Sequence, residues 1–107
     1  MTLNEINEFL LAFEGAHLDF PFGEENSLYK NADGKIFAIV AHESKPLKLS
    51  LKCDPALAER LRETYETVMA GYHLNKKNWN TILLTGQVDD EELKSLMLLS
   101  YNLSREK

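Results

Sequence analysis

The stretch GYHLNKKNWNTI at residues 71–82 gathers the side chains of this chain best suited to recognition chemistry. Tyr72 and Trp79 offer flat faces on which a base can stack, and Lys76 and Lys77 offer cations for phosphates. Asn75, Asn78 and Asn80 carry amides, which combine donor and acceptor and suit base edges. His73 adds an imidazole, a side chain whose ordinary pKa lies near neutrality. Aromatic, basic and amide groups together are what a nucleic-acid contact loop needs. The same residues also suit a structural hairpin: an asparagine in the turn, Trp79 in the core and two solvated lysines. A third use is a small-ligand pocket walled by Tyr72, His73, Asn75 and Trp79.

Catalytic patterns are missing. The chain has no G-x-S-x-G, no phosphate-cradling G-x-x-x-x-G-K-[ST] and no dinucleotide glycine fingerprint. His17, His42, His73 and Cys53 fall on separate elements, without the close ligand spacing of a zinc site. No metal, no cofactor and no enzymatic activity are therefore expected. Cys53 precedes a helix start, which lowers a thiol pKa, but the adjacent Asp54 carboxylate opposes that. The expectation is an inert, half-buried thiol. DDEE at 89–92 reads as the solvated first turn of a helix, and Met69 and Met97 read as core.

These groups need a frame. Thr2 with Glu5 predicts a capping box opening a helix over residues 3–13, with Leu3, Ile6, Leu10 and Phe13 on one face. DFPFG at 19–23 predicts a turn pinned to the core by Phe20 and Phe22. Strands are predicted at 28–30, 35–41 and 47–52, the first two joined by the NADG turn. In the third, Leu47, Leu49 and Leu51 face the core while Lys48, Ser50 and Lys52 face away. Asp54 and Pro55 start a second helix that runs to about residue 66, its stripe made of Leu57, Leu61, Tyr65 and Val68. A short strand at 72–74, a turn at 75–78 and a strand centred on 81–84 follow. Asp89 caps a last helix with Leu93, Leu96, Met97 and Tyr101 inward. The order gives an α+β domain of two layers, α-β3-α-β2-α, with helices on one face of an antiparallel sheet.

With 107 residues the chain makes one domain, spanning 1–107. One cysteine permits no internal disulfide, and the N-terminus, with two acids and no Lys or Arg before residue 14, is no signal peptide. No membrane is expected, and the cytoplasm is the expected compartment. The net charge of −5 disfavours a polyanion partner, but its distribution does not. Residues 27–53 carry +3 and residues 71–84 carry +2, leaving −10 elsewhere, mostly on predicted helices. A cationic sheet face and an anionic helical face are the expected result.

Four blocks, in order, resemble the MmcQ/YjbR family of small bacterial proteins. They are DFPFG at 19–23, LKLSLKCDPALAERLRE at 47–63, GYHLNKKNWNTI at 71–82 and LLSYNL at 98–103. The third is close to the family form G-Y-H-x-N-K-x-x-W-N-T. Ala70 stands where the family usually has proline, and Asn78 where it often has histidine; the second change matters if that histidine has a ligand or catalytic role. The resemblance implies the α-β3-α-β2-α fold, similar to secretion chaperones and to the bacterial frataxin-like arrangement. It also implies DNA as partner, held in a double-wing arrangement of strands. The candidate contacts are Tyr72, His73, Asn75, Lys76, Lys77, Trp79 and Asn80, with Lys48 and Lys52 of the sheet face adding charge. The alternative is a chaperone-like adaptor that offers its sheet face or a helix groove to a protein or peptide, with no nucleic-acid affinity. A monomer is expected.

Overall fold

Capping chemistry fixes where the helices begin. In the computed structural model, which describes residues 1–20, 25–71 and 74–106, the helices are α1 (Leu3–Leu11), α2 (Pro55–Thr64) and α3 (Asp90–Ser104). Thr2 and Glu5 close the capping box reciprocally, at 3.2 and 2.9 Å. The Asp54 carboxylate accepts from the Leu57 N–H and the Asp89 carboxylate from the Glu92 N–H. Asp90, Glu91 and Glu92 then meet the positive end of the α3 dipole.

The strands are β1 (His17–Asp19), β2 (Asn26–Lys30), β3 (Ile36–Ala41), β4 (Lys48–Lys52), β5 (Val68–Ala70) and β6 (Trp79–Leu83). They form one antiparallel sheet in the order β1-β2-β3-β4-β6-β5. The strand alternation read from sequence holds: Leu49 and Leu51 are buried, and Lys48 is exposed. Through the pairing register, Tyr29, Ala38, Val40 and Ile82 join them on the covered face. There they meet Ile6 and Leu10 of α1, Ala58 and Leu61 of α2, and Leu93, Met97 and Tyr101 of α3. Phe13 stacks on Tyr101 at 4.7 Å between ring centres, and Phe37 meets Tyr101 edge-on at 5.2 Å.

A bulge opposite Tyr29 and Lys30 makes Phe37 the extra residue of β3, so Phe37 and Ala38 are both fully buried despite being neighbours. Beside it, β3 and β4 part. The Ser100 hydroxyl of α3 enters the gap, donating to the Phe37 carbonyl at 2.5 Å and accepting from the Lys52 N–H at 2.8 Å. One buried hydroxyl thus satisfies two backbone groups that lack a strand partner.

The fold class is the one expected, with four local corrections. His17–Asp19 is an added edge strand, so four strands precede α2, and residues 21–24, including Phe22, lie outside the described residues. Phe20 is 46% exposed and is not part of the core. The second helix stops at Thr64 because Tyr65 turns extended, at φ −120° and ψ 125°. Val68 therefore lies on β5 rather than on a helical stripe. Met69 on that strand is 40% exposed rather than in the core, and the strand predicted at 72–74 falls on Tyr72 and His73, which lie outside the described residues.

Candidate nucleic-acid interface

All three helices cover one face of the sheet; the other carries no helix, although Leu28 and Thr81 on it are buried. The pairing of β4 with β6 decides what lies on it. Lys48 pairs with Leu83, Ser50 with Thr81 and Lys52 with Trp79. The Ser50 and Thr81 hydroxyls share a hydrogen bond of 2.8 Å in the middle of this face. Trp79 therefore springs from the same side as Lys48 and Lys52, and it is half-buried. Asn80, one residue on, points the other way.

That single step separates the amides by role. Asn80 is 2% exposed; its Nδ2 donates to the Ala58 carbonyl at 3.1 Å and its Oδ1 accepts from Arg62 Nη1 at 3.0 Å. It ties β6 to α2 and does not reach the surface. The same Arg62 nitrogen donates to the Lys76 carbonyl at 2.9 Å, gripping the turn from the helix side. Asn75 builds the turn: its Oδ1 accepts from the Lys77 N–H, and its carbonyl accepts from the Asn78 and Trp79 N–H groups. The Asn78 carbonyl accepts from the Cys53 N–H at 2.6 Å, joining the turn to the end of β4. Gly71 is required for space: an added Cβ would sit 2.8 Å from Trp79 Cβ and 3.2 Å from the Trp79 carbonyl oxygen. Tyr72 and His73 lie outside the described residues.

The cations form a strip rather than a patch. Lys52 at the end of β4, Lys76 and Lys77 in the turn, and Lys35 after the Asn31–Gly34 turn all come to one end of the sheet. Lys48 lies on β4 toward the other end, beside the loop that holds Lys45 and Glu43. Lys30 is paired with Asp19 at 2.8 Å, a hydrogen bond that holds the Asp19 carboxyl below its ordinary value. No ion pair among the described residues engages Lys48, Lys52, Lys76 or Lys77. The helical acids, including Glu5, Glu59, Glu63 and Asp90–Glu92, lie on the opposite layer. Charge is thus segregated between the layers along β4 and the turn, while Asp19, Asp33 and Asp54 interrupt it at the strand ends.

Cys53 is 5% exposed; burial, and then the Asp54 carboxylate, push its thiol pKa up, so the helix start does not activate it. Among the described residues, no three His, Cys, Asp or Glu side chains come together as metal ligands, and no helix is long and apolar enough to cross a membrane. Two positioning residues, Arg62 and Ser100, went unread in the sequence. Arg62 is 14 residues from the turn it holds, and Ser100 is 48 from Lys52, so neither carries a local signal. Asn80 did carry one, since it sits two residues before the core residue Ile82 and so shares its face.

The YjbR family model matches residues 11–103. The Escherichia coli K12 protein YjbR, itself uncharacterised, is 33% identical over 101 residues, covering 94% of this chain and 85% of its own length. Bacillus subtilis YyaQ, also uncharacterised, is 35% identical over 57 residues, covering 53% of this chain and 48% of its own. The crystal structure of Deinococcus radiodurans protein DR2400, a DUF419 domain, superposes with a TM-score of 0.94 at 34% identity, covering 99% of this chain and 80% of that one. A Pseudomonas syringae crystal structure superposes with a TM-score of 0.84 at 24% identity, covering 98% of this chain and 100% of that one, a likeness of fold. With the fold, the four sequence blocks and these matches in agreement, the chain belongs to the YjbR family.

Proposed function

We propose that this protein binds nucleic acid through the phosphate backbone, using Lys48 and Lys52 on the open sheet face and Lys76 and Lys77 in the adjoining turn. The observation that carries the reading is the strip of lysines, engaged by no ion pair among the described residues, leading from β4 into a turn held by hydrogen bonds. Asn75 shapes that turn from within, Arg62 grips it from α2, and Cys53 ties it to β4. Cations carried on that framework, beside a sheet face with no acid between Lys48 and Lys52, suit a polyanion. Because Asn80 is internal and Asn75 is engaged in its own turn, the contact is to phosphates and tolerant of sequence. The helical carboxylates face away, so the net charge of −5 does not oppose docking on this side.

The adaptor reading asks for a contiguous apolar surface. Large exposed apolar side chains among the described residues are Leu11, Phe20, Met69 and Leu98, from four different parts of the chain.

The test is the salt dependence of binding to a short DNA oligomer, measured by anisotropy. Four phosphate contacts give a log–log slope of about −3.6 on duplex and about −2.8 on single strands. Lys76→Ala with Lys77→Ala should remove roughly half of that slope. Absence of binding to either form at low salt would overturn the reading.

A further inference from the structure

Resting on that reading, we infer that the nucleic acid held on the open face is single-stranded, with one base stacked on Trp79 and the flanking phosphates on Lys52 and Lys48. Three observations lead there. The first is width. Six strands at the usual ~4.8 Å spacing make a face about 24 Å across, whereas the duplex major groove is only ~12 Å wide and takes a helix or a two-stranded ribbon. The face as a whole cannot enter a groove, but an extended strand with its bases turned out can lie along it.

The second is the register. Trp79 sits directly across from Lys52, so indole and ammonium stem from neighbouring backbone positions roughly 5 Å apart. Lys48 stems from the same face about 13 Å further along β4, at ~3.3 Å per residue. A flat aromatic beside a cation, with a second cation down the strand, matches a stacked base between two backbone contacts. Between the lysines on β4 the same face carries the small, partly buried Ser50, its hydroxyl bonded to that of the buried Thr81. Gly71 donates its N–H to the Trp79 carbonyl, and the space where its Cβ would stand is taken up by Trp79 Cβ and Leu74 Cβ.

The third is that one amide of the stretch, Asn80, is turned inward. The Asn80 amide is buried against Ala58 and Arg62, and the Asn75 carbonyls are occupied within the turn. The Asn80 amide is therefore not a donor for reading base edges. Stacking requires none, because every base has a π-face.

Trp79 is the only tryptophan in the chain, so its emission reports on this position alone. The experiment titrates the full-length protein with oligo-dT and, in parallel, with the matching oligo-dA·oligo-dT duplex at low salt. The expected result is tighter binding of oligo-dT, with quenching of the tryptophan emission. By anisotropy of labelled oligo-dT, Trp79→Ala should weaken binding about ten-fold or more, and Trp79→Phe should stay within a few-fold of the parent. Trp79→Phe keeps a ring in place and guards against a folding defect in the alanine variant. Equal or tighter duplex binding with unmoved emission overturns this inference while leaving backbone binding intact. Binding of neither form overturns both.

Discussion

Replacing Asn80 by alanine removes two hydrogen bonds that join β6 to α2. The bond from Nδ2 to the Ala58 carbonyl, at 3.1 Å, joins two neutral groups and contributes about 1 kcal/mol. The bond from Arg62 to Oδ1, at 3.0 Å, is charge-assisted, but Arg62 keeps its second acceptor, the Lys76 carbonyl, so the lower end of the charged range applies, about 1.5 kcal/mol. The total loss is about 2.5 kcal/mol. With a urea dependence of roughly 1.5 kcal/mol per molar, the unfolding midpoint should fall by about 1.7 M. Circular dichroism in a urea series reads this directly, with Lys77→Ala as a surface control within about 0.5 kcal/mol of the parent. A double-mutant cycle with Arg62→Ala should return a coupling of about 1 kcal/mol or more. An Asn80→Ala protein of parental stability that has lost its affinity for DNA would refute the argument, since it would make Asn80 a contact instead of a tie.

Other consequences follow from the same packing. Gly71→Ala drives a Cβ against Trp79 Cβ and the Trp79 carbonyl, both fixed by the backbone, and should cost about 1–3 kcal/mol in denaturation with a shift in tryptophan emission. Ser100→Ala leaves the Phe37 carbonyl and the Lys52 N–H without their shared partner and should cost about 2 kcal/mol, lowering Tm by roughly 10 °C. Burial pushes the Tyr29 phenol up to about 12 from an ordinary value of 10.0, so the folded state holds its proton more tightly than the unfolded one. Its contribution is fully present below pH 10 and is lost as pH rises from 10 to about 12; urea midpoints across that range should fall, and less so for Tyr29→Phe, whose own lower baseline reflects the lost bond to Asn7.

Legibility followed the strength of local signals. Caps spoke plainly: Thr2, Asp54 and Asp89 each start a helix where the sequence places it. The alternation of Lys48 to Lys52 assigned the faces of β4. Misreadings arose where a local pattern continued past its physical end. Tyr65 and Val68 extend the apolar stripe of α2, and no glycine or proline stands between them and Thr64. The helix ends because Tyr65 turns extended and its hydroxyl donates to Glu92 of α3 at 2.5 Å, a contact 27 residues away. β1 is three residues long and abuts a proline segment, so only its pairing with β2 reveals it. At the proposed interface, composition could not separate the residues that build the turn from those that face solvent. Asn80 and Trp79 differ by one position and hence by one face of the sheet.

The central claim is that the open face and the turn together contact a polyanion. The most direct measurement is the change in backbone amide NMR shifts on adding oligo-dT at low salt. The account predicts that the perturbed amides cluster at residues 48–52 and 75–81 and that the shifts fade as salt is raised. Perturbations confined to α1 and α3, or none at a protein-saturating oligomer concentration, would contradict it.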